Sequence, residues 1–132
     1  MSERRWLTID VVLAIHDEQL AEHGGRAGIR DLALLESALA RPKNRAVYAT
    51  ASVVDLAGAY AYGIVRDHPF VDGNKRVAFL SAALFLLDHG HEITATDEAI
   101  VTVMLSLAEG TLDEHAFASW LRQNATAADQ SC

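Results

Sequence analysis

A chain of 132 residues with 51% hydrophobic residues, 22% charged residues and only two prolines is one globular domain with enough length for a single core. Its net charge of −7 argues against nonspecific nucleic-acid binding, which depends on Lys and Arg neutralising phosphates, but leaves room for a local basic pocket. The one cysteine, Cys132, allows no disulfide within the chain, which fits a reducing compartment.

The opening stretch MSERRWLTIDVVLAIHDEQ carries an Arg pair, but Asp10 interrupts its apolar run and no small-residue cleavage site follows, so no signal peptide is expected. From Ile9 to about Glu22 the apolar spacing is helical, with Thr8 as N-cap and Gly24 and Gly25 as punctuation. Asp31 caps a short second helix, LALLESALAR, which Pro42 is expected to stop. Residues 41–50 then read as an irregular or hairpin-like connector. A third helix starts at Ser52 and interleaves Ala57, Gly58, Ala61 and Gly63 with larger apolar residues, a pattern for close approach to another helix. Val77 to Leu87 is apolar almost all round and marks a central buried helix, with Gly90 as its C-cap. The run VAFLSAALFLL is too short to span a bilayer, so a cytoplasmic protein that engages no membrane is expected.

HEITA reads as an extended link, and a fifth helix runs from Thr96 or Asp97 to about Glu109. Thr111 and Glu114 suggest a capping box for a last helix carrying Phe117, Trp120 and Leu121. No repeat or low-complexity segment is present. The expected architecture is all-α, about six helices in one compact domain over residues 1–124, with residues 125–132 a disordered tail.

Between the third and fourth helices lies HPFVDGNKR, His68 to Arg76. It places Lys75 and Arg76 in the first turn of a helix, the end where the macrodipole disfavours cations. His68 has the side chain suited to proton transfer near neutral pH, and Pro69 keeps the preceding helix from running on. Phe70 is an apolar anchor in a polar loop. Asp72 is a hard oxygen ligand for Mg²⁺ when phosphate oxygens complete the shell. Gly73 permits a positive φ or a close approach of main chain to ligand, and Asn74 is a good N-cap. Two cations beside free helix N–H groups make a strong polyphosphate site, and a bound anion turns their unfavourable placement into a favourable one.

This stretch resembles the H-P-F-x-D/E-G-N-G/K-R signature of the Fic/Doc superfamily, with Lys75 in the place that distinguishes the Doc (death-on-curing) branch. EHGGRAGIRDLALLESALARP and AEGTLDEHAFASWLR look like flanking segments of Doc-type proteins, so the similarity covers most of residues 7–122. The resemblance implies the helical Fic fold and ATP-dependent modification of a protein hydroxyl. His68 would be the general base, Asp72 would hold Mg²⁺, and Gly73, Asn74, Lys75 and Arg76 would bind the nucleotide phosphates. Lys43 to Thr50 falls where the family has the flap that aligns its target. The Doc branch implies a toxin of a toxin–antitoxin module that phosphorylates a threonine of translation elongation factor Tu and arrests translation.

Pro69 and Gly73 follow the Fic form of the motif, so transfer of AMP to another target is the alternative, and a noncatalytic binding or regulatory module is a third. The family's inhibitory pattern [S/T]-x-x-x-E-[G/N] has its nearest counterpart in SLAEG, Ser106 to Gly110, with one residue too few between Ser and Glu. Restraint is therefore expected from another chain, which the resemblance identifies as a Phd-type antitoxin. His16, His23, His89, His91 and His115 share no metal-ligand spacing, and GGRAG lacks the Lys-Ser/Thr of a phosphate loop, so it reads as a helix terminator and loop.

Overall fold

The computed structural model describes residues 4–48 and 50–128. Six helices and one small sheet follow in the order α1 (Ile9–His23), α2 (Leu32–Tyr48), α3 (Val53–Asp67), α4 (Asn74–Asp88), β1 (His91–Ile93), α5 (Asp97–Glu109), α6 (Glu114–Asn124) and β2 (Ala125–Ala127). Local chemistry sets most of the starts. Thr8, Ser52 and Thr96 each accept a backbone N–H from the first turn of α1, α3 and α5, and Asp55 returns the Ser52 bond to complete a capping box.

Packing places two helices at the centre. The expected buried helix, α4, packs on α1, α3, α5 and β1, while α3 packs on α2, α4, α5 and α6. The small residues of α3 explain how it meets so many neighbours. A Cβ on Gly63 would stand 3.2 Å from the Ala38 carbonyl oxygen of α2, and one on Gly58 would stand 3.4 Å from the Ala118 Cβ of α6. Tyr60, Phe85 and Phe117 fill the space between, all fully buried. The Tyr60 hydroxyl accepts the Leu7 N–H at 2.9 Å and so fastens the segment before α1 to the core.

Four expectations need correction. Pro42 does not end the second helix: α2 continues to Tyr48 with Pro42 inside it. Proline costs a helix the bond to the carbonyl four residues back, here that of Ala38, the group against which Gly63 packs. The buried face formed by Leu35, Ala38, Leu39 and Pro42 holds the helix through that missing bond. Residues 43–48, expected to lie in a flap, are accordingly helical, and Thr50 lies beyond the helix; Ala49 and the Tyr48 side chain lie outside the described residues.

The cap of α6 is Asp113, whose Oδ1 accepts the Ala116 N–H at 2.8 Å, and not Thr111. Glu114 instead accepts from Arg41 at 2.5 Å and from Arg45 at 3.1 Å, tying α6 to the second half of α2. The chain from Ala125 does not begin a disordered tail. Residues 125–127 form β2, antiparallel to β1 with His91 opposite Ala127, Glu92 opposite Thr126 and Ile93 opposite Ala125. Residues 129–132 lie outside the described residues. Finally, His89 and not Gly90 is the C-cap of α4, although Gly90 does take the left-handed conformation with φ 87°. Among the described residues no helix is long and apolar enough to cross a membrane.

Candidate active site

The nine residues from His68 to Arg76 link the two central helices. The last turn of α3 leaves carbonyls without helical partners, and Arg30 supplies them: its Nε donates to the His68 carbonyl at 2.7 Å and its Nη2 to that of Asp67 at 2.8 Å. A cation at a helix C-terminus is also favoured by the macrodipole. His68 is the C-cap, at φ 51° and ψ 56°, and is the one non-glycine residue at positive φ among the described residues. A left-handed conformation costs an ordinary residue about 1–2 kcal/mol. The His68 ring is exposed and makes no hydrogen bond or ring contact among the described residues, so it is available as a base.

After Pro69 the chain runs beside the α1–α2 loop. Arg30 N–H donates to the Pro69 carbonyl at 2.7 Å and Val71 N–H to that of Gly28 at 3.0 Å, which makes a bridge between Ile29 and Phe70. Those bonds use the residues flanking Phe70, leaving its own N–H and C=O to face the other way. Asn74 answers both. Its Oδ1 accepts the Phe70 N–H at 3.0 Å and its Nδ2 donates to the Phe70 carbonyl at 2.9 Å. A carboxamide is the side chain that offers one donor and one acceptor side by side.

This assigns Asn74 differently from its expected place as N-cap. Gly73, at φ 83° and ψ 11°, holds that position, and Asn74 is the first helical residue with its side chain buried. Any contact of Asn74 with a ligand therefore falls to its backbone N–H. The ring of Phe70 is fully buried and lies flat on His16, with centroids 4.0 Å apart and planes 12° from parallel. Phe70 is an anchor, as its place in the loop indicated.

Asp72 closes the loop on the other side. Its Oδ2 accepts the Arg26 N–H at 3.2 Å and its Oδ1 the Gly73 N–H at 3.0 Å. The Arg26 N–H and then the Gly73 N–H hold this carboxyl below the ordinary aspartate range, with the positive charges of Arg26 and Arg76 adding to the effect. The approach of the α1–α2 loop depends on Gly25, where a Cβ would stand 3.1 Å from Asp72 Oδ2 and where φ is 115°.

No side chain caps α4 among the described residues. Its first N–H groups lack intrahelical partners and lie beside exposed Lys75 and Arg76, neither of which makes a side-chain hydrogen bond or ion pair among the described residues. The loop thus gathers an exposed imidazole, an ionised exposed carboxylate, a left-handed glycine and two free cations at one uncapped helix end. Each carboxylate oxygen of Asp72 has given one lone pair to a backbone N–H, so both retain capacity for a cation. Among the described residues no cluster of three or more His, Cys, Asp or Glu stands ready to chelate a metal. The donor set suits a hard divalent ion that takes one carboxylate here and its other ligands from phosphate and water, the habit of Mg²⁺.

Three contributors escaped the sequence reading. His16 falls within the helical stretch from Ile9 to about Glu22, Arg26 within the GGRAG loop, and Arg30 just before the Asp31 cap. Only Arg30 had a signal available, since a helix stopped by Pro69 needs a donor for its last carbonyls.

The Fic/DOC family matches residues 6–86, more than half the chain. The protein kinase doc of Escherichia phage P1 is 28% identical over 120 residues, covering 90% of this chain and 94% of that one. The toxin Doc of Mycolicibacterium smegmatis is 39% identical over 74 residues, which span 54% of this chain and 57% of its own. A helical fold whose two central helices are joined by HPFVDGNKR, with similarity to two Doc proteins, places this chain in the Fic/Doc family, on its Doc branch.

Proposed function

We propose that the protein is a toxin of a toxin–antitoxin module that moves the γ-phosphoryl group of ATP onto a threonine hydroxyl of a target protein, with elongation factor Tu as that target. The observation that carries the reading is the uncapped, doubly cationic start of α4 beside the exposed His68 imidazole and the ionised Asp72 carboxylate. The names of the two relatives, a protein kinase and a toxin, support the same class.

In this mechanism the N–H groups at the start of α4, with Lys75 and Arg76, bind the phosphates and neutralise their charge. Asp72 would hold Mg²⁺, which supplies further neutralisation of the phosphate oxygens when bound. The threonine oxygen attacks the γ-phosphorus as the bond to the β–γ bridging oxygen breaks, so that oxygen leaves on ADP with the electron pair. The hydroxyl proton passes to His68. Positioning and charge neutralisation carry most of such a reaction, and a positioned base adds about 10²–10⁴-fold. A Phd-type antitoxin chain would restrain the activity.

Label transfer from ATP to purified elongation factor Tu tests the proposal, run in parallel with γ- and α-labelled nucleotide and Mg²⁺. The expected result is label from the γ position alone, lost in His68→Ala. Label from the α position would replace the kinase reading with nucleotidyl transfer. No transfer to this target would remove elongation factor Tu, and a scan of lysate proteins with both labels would then decide whether any transfer activity stands.

A further inference from the structure

His16 lies on α1, more than fifty residues upstream of the loop it touches, and is only 3% exposed. Two contacts account for its burial. Its ring stacks on Phe70, and its Nε2 lies 3.0 Å from the backbone carbonyl of Asp72. The stack alone needs only a flat ring. The second contact needs a proton on Nε2, because a carbonyl oxygen can only accept.

That carbonyl belongs to the peptide unit joining Asp72 to Gly73, whose other end is also held: the Gly73 N–H donates to Asp72 Oδ1 at 3.0 Å. Gly73 sits at φ 83°. A glycine moves between the left-handed region and its alternatives at little cost, so a peptide preceding it can rotate unless both ends are fixed. If this unit turned over, its carbonyl would leave His16 and its N–H would leave the carboxylate, and the orientation of the first N–H groups of α4 would change with them.

We infer that His16 is a positioning residue of the nucleotide site, whose Nε2–H locks the Asp72–Gly73 peptide in the orientation that presents the α4 N-terminus to the phosphates and the Asp72 carboxylate to their Mg²⁺. The inference rests on the proposed function for its ligand, ATP with Mg²⁺, but not for the lock itself. Gly73 lies close enough to feel the imidazole directly, since a Cβ there would stand 3.7 Å from His16 Cδ2.

Two variants separate the ring from its proton. His16→Phe keeps a flat ring on Phe70 and removes the donor. His16→Gln loses the stack but carries an amide N–H at about the reach of Nε2. Amide hydrogen exchange of Gly73, whose N–H the Asp72 carboxylate holds, measured without ligand, should rise about 3- to 10-fold in His16→Phe, the size of one hydrogen bond, and return toward wild type in His16→Gln. Binding of ATP–Mg²⁺, followed by titration calorimetry, should weaken in the Phe variant and recover in the Gln variant in the same ratio.

Unchanged exchange in His16→Phe, or equal disturbance in both variants, would overturn the lock and leave His16 a packing residue. Should either variant fail to fold, nitrogen NMR of the wild-type imidazole decides: a proton on Nε2 is required, and its absence refutes the inference. A wild-type protein that bound no ATP would refute the proposed function, while the exchange measurement would still judge the lock by itself.

Discussion

Replacing Asn74 with alanine should destabilise the whole domain and not only its active site. The carboxamide satisfies the N–H and the C=O of Phe70 at 3.0 and 2.9 Å, in a place where Asn74 is 5% exposed and Phe70 not at all. The flanking bonds of the Ile29–Phe70 bridge are made by Arg30 and Val71 and cannot be turned to this use. Alanine would leave two buried backbone groups unpaired, each at a cost of about 1–3 kcal/mol, so a total of roughly 2–6 kcal/mol is expected. That is a large share of the 5–15 kcal/mol typical of a domain. Urea unfolding followed by circular dichroism measures it, with the midpoint falling and the slope unchanged. Asn74→Asp should lose at least as much, because one of its oxygens would face the Phe70 carbonyl. A loss under about 1 kcal/mol for Asn74→Ala would refute the claim that this side chain locks the loop, since a pair of orphaned buried groups cannot cost so little.

Other perturbations reach different parts of the same structure. The folded-state pKa of Asp72 is depressed from 3.8 by the Arg26 and Gly73 N–H groups, so its contribution is complete above the unfolded value and is lost as pH falls through the folded one. The protection factor of the Arg26 amide should therefore fall as pH drops below the ordinary aspartate value of about 3.9 in wild type, and Asp72→Asn should abolish that acid dependence. Gly63→Ala drives a Cβ to 3.2 Å from the Ala38 carbonyl oxygen and 3.3 Å from its Cα, both backbone atoms; a loss of about 1–3 kcal/mol in urea unfolding is expected. Gly58→Ala, whose Cβ would meet the Ala118 methyl at 3.4 Å and the Ala118 backbone no nearer than 3.6 Å, serves as the milder control. Lys75→Ala should stabilise the ligand-free protein by about 0.3–1 kcal/mol, by removing a cation from a helix N-terminus, yet weaken its stabilisation by ATP in thermal unfolding; a loss of ligand-free stability would contradict that assignment.

Periodicity and caps made most of the fold legible. Thr8, Ser52 and Thr96 each start a helix where the sequence places one, and the interleaved Gly58 and Gly63 do mark close helix approaches. The failures share a physical cause, a local rule outweighed by a distant partner. Pro42 is a helix breaker by itself, but burial of its face of α2 outweighs one missing bond. Glu114 stands at capping-box spacing from Thr111, yet two arginines from α2 compete for its carboxylate. Residues 125–127 are small and polar, and only the unpaired edge of HEI, more than thirty residues earlier, gives them a reason to be a strand. In the site, HPFVDGNKR gathers its candidate residue types within nine positions. His16 and Arg26 carried no such signal and Arg30 only an indirect one, because each acts on a loop distant in sequence.

The site concentrates features that disfavour the ligand-free fold. His68 is in a left-handed conformation, Lys75 and Arg76 lie at the wrong end of a helix, and that helix has no side-chain cap. By the costs of such placements these sum to about 2–4 kcal/mol, packed into nine residues of a domain that otherwise follows local rules. The compensation comes from outside: Arg30 caps α3, Arg26 holds Asp72, and His16 braces Phe70 and the Asp72 carbonyl, while Asn74 closes the loop from within. Every one of the external braces belongs to α1 or to the loop that follows it. A chain selected only for stability would remove the cause by capping α4 with serine or aspartate and placing an acid in its first turn. Here the fault is kept and a second segment is spent on bracing it, which makes sense when an uncapped, cationic helix start is what the ligand needs. A bound polyphosphate would reverse the sign of the two cation terms and occupy the free N–H groups together, so the same residues that weaken the empty loop would strengthen the filled one.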